Sequence, residues 1–600
     1  MRFNPIFQPV FAASPLGSTL ARWYLLACIS GFSVACGAPP VDDIPGGDGD
    51  GDSSESAGDG DDSSNGGDGD GDGDSTGPVG DQLKLKDVRV TCDESNVGKP
   101  VLRRLTQSEA YATLIDAFGL SEQEYPAVRL SPDPTSSLGF TNDAGVLVVG
   151  GNTAKELLKT AEDVADLVVG KLSSALPCAS AAADRTCAEQ YVKDYGRRLF
   201  RRTVTDDELA RYADYHQSVA TRADFATGIK WTTVALIQSP HAFYRSEIGE
   251  KHDEGRSLDN FEMASELSYM ITGSAPDETL LTAAENGELT EPAARRTQAE
   301  RLLSSHPDRL RGLTAFFAEW LRYRTVKGQS RVDAQDFAGK ISEAMTQETE
   351  SFINHVVFDT KGTIQDLLTA NFSSHNATLS QFYGWGNAGS DTFETVDRPS
   401  EYGRGILAQG SLLAGTSHQA ASSPTLRGLM FTQHFLCMDR PPPPNVVPTI
   451  ESTNVESPVN TTREKYEINH RADITCNSCH AKFEPFGYVF EAFDELGRKR
   501  EMEQTDQGSF PINTVVDDAM LPDGSLKSLS SLDELATMVD STDDIENCFS
   551  GLLAAYMFSG GGGAQCLAED ARAAVAAGTM SIYDYVLALV EAPHFERRKQ

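Results

Sequence analysis

The chain has 600 residues, of which 40% are hydrophobic and 23% charged, with 88 acidic against 51 basic residues and a formal charge of −37. That length exceeds what one hydrophobic core supports, so several domains are expected. A chain this acidic repels phosphate, which excludes nucleic acid as a partner.

Residues 1–35 read as a lipoprotein-type signal peptide. Arg2 and Arg22 supply the positive charge, and a 13-residue apolar run from Trp23 to Ala35 follows. The run suits a signal core and is too short to span a bilayer comfortably. It ends in Ser33-Val34-Ala35-Cys36, small residues before a cysteine, which makes Cys36 the expected lipidation site. Ordinary signal cleavage is the alternative, because Ser33 stands where a lipobox usually has Leu.

Residues 36–85 are dominated by Gly, Asp and Ser. Of the negative charge, 14 acidic residues and no basic ones lie in 41–81, leaving −23 for the remainder. Such a segment buries too little apolar surface to offset its ordering entropy, so a disordered tether is expected, with an r.m.s. span of roughly 35–40 Å. Its Asp-Gly alternation lacks the spacing and closing Glu of a calcium loop.

Beyond residue 90 the pattern is helical, and the predicted fold class is mainly α. Capping boxes open three helices, at Thr106–Glu109, Thr153–Glu156 and Thr205–Glu208. Apolar residues recur at helical spacing at Phe261, Ala264 and Leu267, then at Leu310, Leu313, Phe316, Phe317, Trp320 and Leu321. Ile341, Met345, Phe352 and Val356 continue the pattern, and strand alternation is scarce. Helical domains are expected at 90–150, 151–250, 255–385 and 525–600, with a further domain at 398–505. Pro441–Pro444 forms a stiff spacer and Gly560–Gly563 a flexible turn, and 503–530 is polar and turn-rich.

The 398–505 segment carries the one specific chemical signal, Cys476-Asn477-Ser478-Cys479-His480. Cys-x-x-Cys-His is the attachment signature of c-type haem. Two thiols three residues apart on a helical turn reach both porphyrin vinyl groups, and the adjacent imidazole lies under the iron as proximal ligand. Roughly 0.003 accidental matches are expected in a chain of this composition. Three rival readings remain: a local Cys476–Cys479 disulfide, a zinc site completed by His470 and His480, or fortuitous free cysteines. The His-x5-Cys-x2-Cys-His spacing is unlike common zinc sites.

Candidates for the sixth iron position are Met502, Met438 and His470. Phe483, Phe486, Phe490 and Phe493 could wall a haem or simply be core. Arg498 and Arg500 could meet propionates or be solvated charges. His418 lies in a polar loop, where a local contact is the default and a role facing the haem the alternative. No nucleophile elbow, His-Glu-x-x-His helix or phosphate loop is present.

Setting aside Cys28, Cys36, Cys476 and Cys479, six cysteines remain. An even number in an exported chain favours disulfides. Cys178–Cys187 closes a short segment before a helix, Cys548–Cys566 would staple two helices, and Cys92–Cys437 is the pair left over.

Several of these motifs together resemble the multi-domain secreted proteins of planctomycetes and myxobacteria, the planctomycete secreted-domain series. The resemblance rests on Leu102-Arg103-Arg104-Leu105-Thr106, Gly196 to Arg202, Phe261-Glu262 with Leu267-Ser268-Tyr269, and Pro276-Asp277. It continues through the Phe317…Trp320-Leu321 helix, Ser423-Pro424-Thr425-Leu426-Arg427-Gly428 and the proline run. It ends in the Cys476–His480 motif with Phe486-Gly487, Phe493-Asp494, Gly497 and Arg500. The chain departs from that pattern at Glu484, where the family usually has Asp, and at the Gly560–Gly563 run. The resemblance implies architecture and export, and no reaction.

The function expected is that of an exported lipoprotein with one covalent haem c on Cys476, Cys479 and His480. It would transfer electrons at the cell envelope, to or from a redox partner, with the membrane reached through the lipid on Cys36. A carrier is favoured over a catalyst. The alternatives are a haem-free, disulfide-stabilised surface scaffold or binding protein, and a haem oxidoreductase of peroxidase type.

Overall fold

The computed structural model describes residue 85 and residues 98–599, except 126, 182, 254, 306–309, 333, 440–458, 473, 506, 541 and 560–568. The signal peptide, Cys36, nearly all of the acidic segment, Cys92, the proline run, the 560–563 glycines and Cys566 lie outside the described residues. Leu85, placed by sequence at the end of the disordered tether, is instead buried against the main core.

Helices dominate the described residues, and the strands occur only in two- and three-stranded sheets, so the fold is mainly α as expected. The first strand, Val101–Arg104, pairs antiparallel with Tyr244–Glu247, with Val101 opposite Glu247. Between them lie the long helices Gln107–Phe118, Gly151–Gly170, Arg185–Phe200, Asp206–Ala220 and Phe225–Ile237, which share one apolar core.

Two of the predicted capping boxes form. Thr106 with Glu109 caps the first of these helices, and Thr205 with Glu208 caps the fourth. The third does not. Its helix starts earlier, at Gly151 after an extended Gly150, which puts Thr153 inside the first turn. Glu156 is drawn off by Ser131, whose N–H and Oγ both donate to it.

Where the two strands meet, buried charges are gathered. Arg103 donates both Nη atoms to Glu109, at 2.9 and 2.8 Å. Arg245 reaches Glu247 at 3.2 Å and Glu266 at 2.5 Å, and Arg598 from the last strand lies 3.6 Å from Glu247. Burial alone pushes the Glu109 carboxyl up, but Arg103 outweighs it and holds it at about 2. Glu266 is pushed up to about 7, by burial first and by the neighbouring Glu247 second.

The second half, from Leu258 to Phe595, forms most of a larger core that also takes in Leu138 and Phe140. Phe316, Phe317 and Trp320, on the helix Arg311–Leu321, pack against Phe549 of the helix Asp544–Met557. Trp320 Nε1 donates to the His434 carbonyl at 2.6 Å. Beside this contact Cys437 is bonded to Cys548, with Cα atoms 5.4 Å apart.

That pairing corrects two expectations, since Cys437 was assigned to Cys92 and Cys548 to Cys566. Spacing along the chain carries no information about a contact between residues 111 apart. Cys178–Cys187 forms as expected. The polar segment read as turns is two hairpins, Met502–Thr505 with Gly508–Pro511 and Val516–Met520 with Leu526–Leu529. Helix therefore resumes only at Leu532. Among the described residues no helix is long and apolar enough to cross a membrane.

Candidate functional site

Two helices in direct contact build the floor of the site, Pro424–His434 and Glu484–Val489. Glycine permits the approach. A Cβ on Gly487 would stand 1.8 Å from the Pro424 carbonyl oxygen, and one on Gly428 would stand 2.2 Å from that of Phe483. Arg427 then pins the chain beyond the second helix. Its buried guanidinium donates to the carbonyls of Phe490, Phe493 and Asp494 at 2.9, 2.8 and 2.7 Å. Ser422 and Arg500 both donate to Glu491.

This frame fixes Glu484, which is 0% exposed. Its Oε1 accepts from Thr425 Oγ1 at 2.6 Å and faces Nδ1 of His470 at 2.5 Å and Nδ1 of His480 at 2.7 Å. Its Oε2 accepts from Tyr488 Oη at 3.2 Å. Burial pushes this carboxyl up, but the two histidine hydrogen bonds outweigh burial and hold it at about 2. An ionised carboxylate has no proton to give, so each imidazole must be the donor through Nδ1–H. A neutral His480 therefore carries its free lone pair on Nε2.

His470 arrives on a wide helical turn, Glu467–Arg471, directly after the helix Thr462–Tyr466. Its ring centroid lies 4.0 Å from that of His480 and 5.1 Å, edge to face, from that of Tyr466. Tyr466 Oη in turn lies 3.4 Å from His418 Nε2 and 3.4 Å from Ser423 Oγ. His418 thus makes a polar contact, but to a tyrosine 48 residues away rather than within its own loop.

The cysteine motif lies on the helix Ile474–His480. No residue of this helix is fully buried, and Ile474 is 87% exposed. Cys476 and Cys479 are half-buried and carry no disulfide, which removes the local-disulfide reading of this pair. Asn477 Oδ1 is buried without a hydrogen-bond partner. Phe483 lies against His480, with ring centroids 5.0 Å apart.

A c-type haem needs two unlinked thiols, an imidazole with a free nitrogen, and apolar surface left to cover. The unlinked cysteines, the Nδ1-tethered His480 and the uncovered Ile474 fit that group.

The other expected haem contacts divide. Phe486, Phe490 and Phe493 belong to the main core, so of the four phenylalanines only Phe483 touches the motif histidine. Arg498 is held by Asp494 at 2.9 Å, and Arg500 by Glu491 at 2.9 Å, so both have partners inside the fold rather than waiting for propionates. Met502 is 42% exposed on a hairpin strand opposite Pro511, and Met438 packs against the main core. His470 is not placed as a sixth ligand. Rings on opposite faces of one iron stand farther apart than 4.0 Å, because each lies wholly outside its metal–nitrogen bond.

Sequence reading missed Glu484 as the centre of this cluster, noting it only as a departure from the family pattern. Thr425 and Tyr488 were missed with it.

Four successive segments match families described as proteins of unknown function. They are PSD3 (DUF1587) over 103–170, PSD5 (DUF1595) over 187–247, PSD4 (DUF1592) over 258–385 and PSCyt3 (DUF1588) over 403–503. All four are families of the planctomycete secreted-domain series. The last match contains every residue of the carboxylate–histidine cluster and both motif cysteines. No curated protein and no solved structure matches the chain.

Proposed function

We propose that this protein is an exported lipoprotein that carries one covalent c-type haem and transfers single electrons at the cell envelope. The observation that carries the reading is the 474–480 helix, where two unlinked thiols precede a histidine whose Nδ1 is tethered and whose Nε2 is free. Cys476 and Cys479 would hold the porphyrin through thioethers, and His480 would ligate the iron. When bound, the haem supplies a one-electron ferric–ferrous couple.

The chain's own residues do the positioning. Thr425, Tyr488 and His470 fix Glu484, Glu484 fixes the His480 ring, and Phe483 backs that ring. The Gly428–Gly487 contact and Arg427 hold the two supporting helices in register. The two disulfides among the described residues suit an oxidising compartment, where such haem attachment takes place. The family name over 403–503 hints at a cytochrome-like domain. Export and lipidation of Cys36 rest on the signal-like N-terminus.

The full chain, matured in a host with haem-attachment machinery and then denatured, should retain a pyridine haemochrome spectrum that a Cys479→Ala variant loses or alters. Wild type and variant both lacking covalent haem would sink the reading. A second reading has one observation in its favour. Ligand atoms of His470, His480 and Glu484 lie within 4.8 Å of one another, the convergence a divalent cation needs. Stoichiometric zinc in haem-free protein, lost in His470→Ala, would favour it.

A further inference from the structure

We infer that Glu484 is a positioning residue for the iron. Its carboxylate takes the Nδ1–H of His480 and thereby sets how strongly His480 Nε2 donates to the metal. The inference rests on the haem reading above and adds to it the group that tunes the couple.

Three features of the cluster lead there. Glu484 is fully buried, so its bond to His480 is not weakened by competing water. Among the described residues its ionic partners are His470 and His480, and no guanidinium or ammonium group pairs with it. By contrast, Glu109 is cancelled by the bidentate Arg103. And the carboxylate is held rigidly: Thr425 and Tyr488 donate to it from two helices whose backbones touch.

A hydrogen bond to such an anion draws the Nδ1 proton away from the ring and moves electron density towards Nε2. The stronger donor stabilises ferric over ferrous iron and lowers the reduction potential. His470 works against this effect. It shares Oε1 with His480, so the charge is divided between two donors. Removing His470 leaves more of the carboxylate to His480.

The two substitutions should therefore shift the potential in opposite directions, which a purely structural role for Glu484 would not produce. In full-length, haem-loaded protein, Glu484→Gln should raise the midpoint potential. The expected shift is about tenfold in the ferric-to-ferrous ratio at a fixed potential, 59 mV for one electron. Glu484→Asp should return part of the shift, and His470→Asn should lower the potential below wild type. Haem content, measured first by pyridine haemochrome, separates the two ideas. Absence of covalent haem from wild type overturns the haem reading and this inference with it. Haem present, with Glu484→Gln unchanged in potential, overturns the inference alone. If Glu484→Gln does not fold, His470→Asn decides, and an unchanged or raised potential overturns the inference.

Discussion

Two of the buried carboxylate clusters among the described residues are neutralised in different ways. At the meeting of the first strand and the chain end, Glu109, Glu247 and Glu266 face Arg103, Arg245 and Arg598, with both signs sealed inside. Around Glu484, the anion is met by two histidines and two hydroxyls, beneath a helix with no fully buried residue. Arginine fixes its charge permanently, so the first cluster can do little but hold elements together. Histidine can release a proton or bind a metal, so the second cluster retains chemistry. Burial of a carboxylate therefore does not by itself mark a site; the identity of its partners does.

The largest expected effect breaks the link between the two halves of the larger core. The Cys437–Cys548 bond ties the end of the helix bearing Thr425 to the helix Asp544–Met557, across 111 residues. Cys548→Ser should cost about 4–5 kcal/mol by the loop-entropy argument, read by chemical denaturation. A loss below about 1 kcal/mol would mean that helix packing alone holds the contact.

Next comes the arginine cluster. Arg245→Met leaves Glu247 and Glu266 short of a buried partner and should cost about 3–5 kcal/mol, with haem content unchanged. A loss of haem with no loss of stability would reverse the roles assigned to the two clusters.

The pH dependence sharpens the comparison further, because Glu266 of the first cluster and Glu484 of the second respond with opposite sign. Glu266 is raised from 4.5 to about 7, so its contribution is fully present below about pH 4.5 and is lost as pH rises through 7. Glu266→Gln should flatten that loss in a pH series of unfolding curves. Glu484 is lowered from 4.5 to about 2, so its contribution is present above pH 4.5 and is lost as pH falls towards 2. Glu484→Gln should remove on the order of 2 kcal/mol from the acid limb and leave the neutral-to-alkaline slope alone. Identical slopes in the two variants would contradict the distinction.

The two clusters also differ in how far sequence reveals them. Arg103 and Glu109 are six residues apart, and the Thr106–Glu109 capping box between them is a local pattern. The cysteine motif is local too, and its spacing alone points to haem. Glu484 was visible only as an unusual residue, because Thr425 lies 59 residues before it and His470 14 before it. Only the touching helices bring them together. The Cys437–Cys548 bond was hidden for the same reason. The 502–529 hairpins were read as turns because polar residues on both faces erase the alternation that marks a half-buried strand.

The most direct test of the proposed haem site is the intact mass of the full chain after export in a haem-attaching host and complete denaturation. The expected mass is that of the mature, lipidated polypeptide plus one haem, with the haem mass lost when Cys476 and Cys479 are both replaced by Ala. A wild-type mass equal to that of the double Ala variant after allowance for the two substitutions, with both thiols still free to alkylate, would contradict the haem site.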